Sequence, residues 1–177
     1  MLTGSELLSE RRWLLVGGPG SGSRWHQDPF ATSAWNACLH GRRLWCFMPP
    51  SEGCYPPGVC ELDEGGARHA AALDAPPSAE WFAKYGGGDL GERREHLLDA
   101  GGAPLRWVEQ VAGDVVWVPK GWWHTTLNLE ESVALTQNQL LPKDAAGALR
   151  EMAAQPRQQV RTQQGLRAVL RERHSDD

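Results

Sequence analysis

A chain of 177 residues with 41% hydrophobic and 23% charged residues has the size and balance of one folded domain able to bury a core. Its formal net charge of −4 argues against a protein built mainly to bind nucleic acid. No apolar signal-peptide core opens the chain, and no run approaches the ~20 apolar residues of a membrane helix.

Residues 1–12 are polar and read as a short helix or a loose start. Residues 13–16 form a brief apolar strand, and 17–23 are a Gly/Ser/Pro loop. Residues 25–28 read as a strand entering a turn at Pro29. The runs 33–39 and 42–48 predict a hairpin around His40-Gly41. Residues 49–66 are loop-rich, and 79–85 and 91–99 predict helices on either side of the Gly86-Gly87-Gly88 run. Short strands follow at 107–111, 115–118, 122–129 and 133–140, with turn residues between them. From Lys143 the chain predicts helix to about Arg173, with a break near Pro156. Many short strands with regular turn signals suggest an all-β barrel or sandwich, and there is no internal repeat. Nine tryptophans, among them Trp25, Trp35, Trp45, Trp117, Trp122 and Trp123, predict an aromatic-rich interior.

Cys38, Cys46, Cys54 and Cys60 include no Cys-x-x-Cys pair, which argues against a structural zinc site. Cys38 and Cys46 lie in apolar runs and read as core thiols, and Cys54 and Cys60 flank a Pro-Pro turn that a disulfide could close. A reducing intracellular compartment suits this cysteine usage better than an oxidising one. Arg150, Arg157, Arg161, Arg167, Arg171 and Arg173 make the C-terminal stretch basic, either as a solvated helix face or as an RNA contact. The run Gly17-Gly18-Pro19-Gly20-Ser21-Gly22-Ser23 lacks the Gly-Lys-Ser/Thr ending of a phosphate loop and opens no helix.

The chemistry centres on His26-Gln27-Asp28 and on His124, which follows Val118-Pro119-Lys120-Gly121-Trp122-Trp123. Residues two apart on a strand share a face, so His26 and Asp28 can address one ion, with His124 as a third ligand. Two histidines and one carboxylate hold Fe(II) on one face and leave the other positions open. His-x-Asp alone arises often by chance, and a lone histidine in an apolar run such as His124 is more often a core residue with its hydrogen bonds satisfied. In the hairpin, a two-residue loop at His40-Gly41 sets Asn36 opposite Trp45 and Cys38 opposite Arg43, all on one face. An inward arginine is costly unless an anion pairs with it; alternatively Arg43 follows Arg42 into solvent. A three-residue loop Glu130-Glu131-Ser132 would pair Thr126 with Thr136 and His124 with Asn138, placing Thr136 on the histidine's face.

Read together, three segments resemble the Jumonji-C oxygenases, closest to the phosphatidylserine-receptor-like branch of lysyl hydroxylases and arginine demethylases. They are residues 20–36, 41–49 and 113–129, in the family's order and near its spacing, continued by Ala134-Leu135-Thr136-Gln137-Asn138. The resemblance covers about residues 12–140. It implies a mainly β, double-stranded β-helix of the cupin jelly-roll kind with C-terminal helices. It implies Fe(II) on His26, Asp28 and His124, and 2-oxoglutarate held by Asn36, Arg43 and Thr136 with help from Ser23. Arg43 stands where the branch usually has lysine, and its fork could grip the distal carboxylate or select another oxoacid.

The implied division is a catalytic domain over 1–142, N-terminally truncated relative to the family, and a helical extension over 143–177 that could support a homodimer. The implied chemistry is oxidative decarboxylation of 2-oxoglutarate coupled to hydroxylation, or to demethylation next to nitrogen, of lysyl or arginyl side chains in a protein substrate. The alternative is a truncated, non-catalytic cupin module that binds a protein or RNA. Nuclear localisation is carried by the resemblance alone, with the cytoplasm as the other intracellular option, and nothing suggests a membrane.

Overall fold

The computed structural model describes residues 12–51, 54–62, 68–70, 75–86 and 105–154. Its elements in chain order are β1 (Arg12–Gly17), a 3-10 turn (Pro29–Ala31), β2 (Ser33–His40), β3 (Arg42–Met48), β4 (Cys60–Leu62), β5 (Arg68–Ala70), α1 (Ser78–Tyr85), β6 (Arg106–Val111), β7 (Val115–Val118), β8 (Trp123–Asn128), β9 (Ser132–Gln139), a second 3-10 turn (Pro142–Asp144) and α2 (Ala145–Ala154). The expected helix over 91–99 and the chain beyond Ala154 lie outside the described residues. No helix among the described residues is long and apolar enough to cross a membrane.

Two antiparallel sheets make the body, one in the order β1-β9-β2-β7 and one in the order β6-β3-β8, with a small β4-β5 ribbon apart from them. Residues 20–26 run along the free edge of β8, where backbone bonds link Gly20 to Asn128, Ser21 to Asn128, Ser23 to Thr126 and His26 to His124. With that segment counted, each sheet is four members wide, and the pair forms the expected jelly-roll β-sandwich.

Alternation decides what each sheet turns inward. Ala34, Trp45, Phe47 and Val118 join the two sheets in one buried cluster. The opposite face of β3 and β8 carries Leu44, Cys46, Met48 and Trp123, packed under Trp81 and Phe82 of α1. The outer face of the four-stranded sheet is open instead, exposing Leu14, Val16, Leu39, Val115 and Trp117. Trp25, Trp45 and Trp123 are interior as expected, whereas Trp117 is not. Cys38 and Cys46 are buried thiols, and Cys54 is free rather than bridged.

Both expected hairpins are overturned. β2 pairs with β7 and β9 while β3 pairs with β6 and β8, so the turn at Gly41 carries the chain from one sheet to the other. Gly41 makes this crossing in the left-handed region at φ 79°, and a Cβ there would strike the Glu131 carbonyl. Likewise β8 and β9 lie in different sheets, so Thr126 and Thr136 line one cavity from separate sheets rather than pairing side by side. Alternation fixes the face a residue shows but not which strand lies beside it, and in a closed sandwich short turns cross between layers. Residues 25–28 form a single bridge, His26 to His124, rather than a strand.

Arg43 faces inward at 5% exposure, whereas Arg42 faces out and pairs with Glu109 and Glu130. Fully buried Gln110 ties the layers together: its Oε1 accepts Trp45 Nε1–H at 2.8 Å, and its Nε2 donates to the Asn36 carbonyl at 2.8 Å. Gln110→Leu leaves the Trp45 indole without an acceptor inside the core. It is expected to lower unfolding free energy by about 1–3 kcal/mol, measured by urea denaturation.

Candidate metal centre and anion pocket

His26 and His124 are brought together by reciprocal backbone bonds, His26 N–H to His124 O at 3.0 Å and His124 N–H to His26 O at 2.9 Å. Their rings lie 4.1 Å apart between centroids. Each ring is oriented from behind: His26 Nδ1 meets the Arg24 carbonyl at 2.7 Å and His124 Nδ1 meets the Trp122 carbonyl at 3.1 Å. A carbonyl accepts only, so Nδ1 carries a proton in each ring, and Nε2 is the atom left to face a metal. Asp28 follows on the same loop, and one ligand atom from each of His26, Asp28 and His124 lies within 4.8 Å of the others.

The turn after Asp28 is held under strain. Phe30 sits at φ 58°, ψ 36°, a conformation unfavourable for a bulky residue. Its ring is buried against Leu140, Ala145 and Ala148, so packing on α2 holds the turn that aims Asp28. On the far side Gln27 Nε2 donates to the Gly121 carbonyl at 2.6 Å, joining the 26–28 loop to the loop that delivers His124. That second loop is tied down by the Lys120–Asp144 ion pair and by Lys120 N–H on Ser33 Oγ at 3.1 Å.

These residues fit a divalent metal. Asp28 Oδ2 is buried with no hydrogen-bond partner, the state of a carboxylate oxygen that awaits a cation. Burial pushes the Asp28 carboxyl above its ordinary range, with His26 and a hydrogen bond from Asn138 pulling the other way. Burial, reinforced by His26, holds His124 down to about 3, so its imidazole is a neutral donor at any physiological pH. Two imidazole nitrogens and one carboxylate oxygen are the donor set of a facial triad.

The three groups line one region of a cavity of about 680 Å³ between the sheets, and Arg43, Asn36, Ser23 and Thr136 line the same cavity. Across β8, Phe47 is registered with His124 and Arg43 with Asn128, so the arginine's backbone lies about 13 Å along β3 from the histidine's level. Arg43 Nε donates to Asn128 Oδ1 at 3.0 Å and Nη1 to Asn36 Oδ1 at 2.9 Å, with a longer reach of 3.4 Å from Nη2 to Thr126 Oγ1. All three acceptors are neutral. No carboxylate among the described residues pairs with this guanidinium, and burial pulls its pKa down. Ser23 Oγ bonds Thr126 Oγ1 at 2.9 Å, and Thr136 Oγ1 donates to the Trp35 carbonyl at 2.8 Å. Asn128 and Gln110 were not singled out from the sequence. Alternation along the strand from His124 through Thr126 marks Asn128, whereas nothing local marks Gln110.

A model of the cupin-like domain matches residues 4–138. The chain belongs to the cupin-like (Jumonji-C) domain family. It is 40% identical over 128 residues to the arginine-specific demethylase JMJ22 of Arabidopsis thaliana, covering 72% of this chain and 22% of that protein. It is 30% identical over 139 residues to the bifunctional arginine demethylase and lysyl-hydroxylase psr-1 of Caenorhabditis elegans, covering 72% and 29%. It is 25% identical over 131 residues to the 2-oxoglutarate and iron-dependent oxygenase JMJD4 of Gallus gallus, covering 74% and 27%. The chain thus spans less than a third of the length of these relatives.

The depressed His124 pKa sets a pH dependence for the metal-free protein. An unfolded chain takes up a proton near 6.5, while folded His124 stays neutral to about 3. Between those values the unfolded state binds more protons, so stability falls as pH drops through the window, by up to about 1.4 kcal/mol per unit from this group. Chelator-treated wild type compared with His124→Gln by denaturation at pH 7 and pH 4.5 should show a shallower loss in the variant.

Proposed function

We propose that this chain is an Fe(II)- and 2-oxoglutarate-dependent oxygenase that hydroxylates or oxidatively demethylates a lysyl or arginyl side chain of a protein substrate. The observation that carries the reading is one cavity with a triad whose Asp28 Oδ2 has no hydrogen-bond partner in one region and, in another, a buried guanidinium that pairs with no carboxylate among the described residues. The oxygenase and demethylase names of the relatives support the same chemistry. The lysyl or arginyl substrate rests on those names alone.

Bound Fe(II) would supply the site at which O2 is activated as 2-oxoglutarate is decarboxylated to succinate. His26 and His124 would bind through Nε2, and Asp28 presents the oxygen that burial leaves unsatisfied. Arg43 offers charge-assisted N–H groups to the distal carboxylate and so sets the direction in which the diacid lies. Thr136 and Ser23 add hydroxyls to the wall. Trp45 and Phe47, stacked at 5.4 Å, form an apolar floor under His124 that excludes water from the reacting end.

Succinate formation from 2-oxoglutarate with added Fe(II) tests the reading. His26→Ala should abolish it, with at least a hundredfold loss, while Arg43→Ala should raise the 2-oxoglutarate KM by about 10- to 100-fold, the worth of a charged hydrogen bond. Folded, iron-loaded wild type that forms no succinate, even uncoupled from a protein substrate, would overturn the oxygenase reading in favour of a binding module.

A further inference from the structure

The Gly/Ser run at 17–23 has no part in the triad, yet it packs against the anion pocket. Its Ser21 hydroxyl donates to the Gly18 carbonyl at 2.6 Å, which commits the only proton it has. The Ser21 oxygen can then only accept, and it accepts Asn128 Nδ2–H at 2.9 Å. This fixes the Asn128 amide with its nitrogen toward Ser21 and its oxygen toward Arg43, where it accepts Nε–H at 3.0 Å. A flip would set an NH2 group against a guanidinium that has no acceptor, so the relay runs one way: Arg43 to Asn128 to Ser21 to Gly18. Backbone bonds clamp the same contact, Asn128 N–H on Ser21 O at 2.7 Å and Gly20 N–H on Asn128 O at 2.8 Å.

Two glycines permit it, one by its backbone conformation and one by leaving space. Gly20 turns in the left-handed region at φ 79°, and a Cβ on Gly17 would stand 2.7 Å from Asn128 Nδ2 and closer still to Ser21 Oγ. Held at Nε by Asn128 and at Nη1 by Asn36, the guanidinium keeps one N–H on Nη1 unspent, and one on Nη2 beyond its long contact with Thr126.

We infer that Asn128, set by the Gly17–Ser21 turn, is a positioning residue that locks the Arg43 fork so that its unspent N–H groups meet the distal carboxylate of the co-substrate. The inference rests on the oxygenase reading above. It is specific to arginine, because lysine has a methylene where Arg43 has Nε and gives the Asn128 oxygen nothing to accept at that point.

Titration calorimetry without O2, on protein loaded with Mn(II), reads this directly. The probes are 2-oxoglutarate and 2-oxobutanoate, which keeps the oxoacid head and lacks the distal carboxylate. Asn128→Ala should weaken 2-oxoglutarate about tenfold and 2-oxobutanoate less than about twofold, with Mn(II) affinity unchanged. Gly17→Ala removes no polar group and should weaken 2-oxoglutarate with the same selectivity, by about three- to tenfold. In an Arg43→Lys background, adding Asn128→Ala should cost less than about twofold. Equal weakening of both acids, an equal loss in both backgrounds, or no loss in either variant would overturn the positioning role while leaving the oxygenase reading intact. Wild type that binds Mn(II) but neither acid would overturn that reading and this inference together, and it would show before any variant is made.

Discussion

The ladder between residues 20–26 and β8 is the constraint on which the rest of this barrel depends. It adds a fourth member to the β6-β3-β8 sheet and so balances the four-stranded sheet opposite. Its last rung is the reciprocal pair of backbone bonds between His26 and His124, and its first rungs fasten Ser21 to Asn128. One short run of hydrogen bonds therefore sets the metal ligands and braces the anion pocket. Backbone bonds suit this task because their geometry tolerates little drift, and a ligand set needs placement within a fraction of an ångström.

The interior between the sheets is polarised along β3 and β8. His124 stands level with Phe47, Thr126 with Trp45, and Asn128 with Arg43, so alternate residues of two strands grade from metal ligand through aromatic floor to cation. A guanidinium buried without an acid is costly, and neutral oxygens from Asn36, Asn128 and Thr126 offset only part of its lost hydration. The opposite region holds a carboxylate oxygen without a partner. Both costs are of the kind relieved by ligands rather than by packing, and native proteins carry such groups chiefly at functional sites.

Much of the strand pattern was legible because short β-strands announce themselves by alternation and by Gly, Pro and Asp at their ends. The strands at Arg12–Gly17, Ser33–His40, Arg42–Met48, Arg106–Val111, Val115–Val118 and Ser132–Gln139 lie within a residue or two of the expected runs. What failed was neighbourhood. Ser33–His40 and Arg42–Met48 read as a hairpin because Gly41 looks like a hairpin turn, and the same left-handed glycine serves equally to cross between layers. Face parity survived the error, since alternation is a property of one strand alone. That is why Asn36, Arg43 and Trp45 share an interior even though their strands never pair.

The amino-acid sequence by itself determined the β architecture, the inward parity of each strand, and which residue types could serve as ligands. Those are local properties, set by backbone sterics and a period of two. Tertiary structure decided which of them meet. It chose the inward rotation of Arg43 over the solvent-facing alternative and gave Gln110 its bridge between layers. It brought Phe30 onto α2 in a backbone conformation that no local preference would select. It also turned a Gly/Ser run without a phosphate-loop signature into the brace of a buried asparagine. Each of these depends on contacts between residues far apart in the chain, where a small difference between large burial and desolvation energies picks the outcome, and no local pattern records that difference.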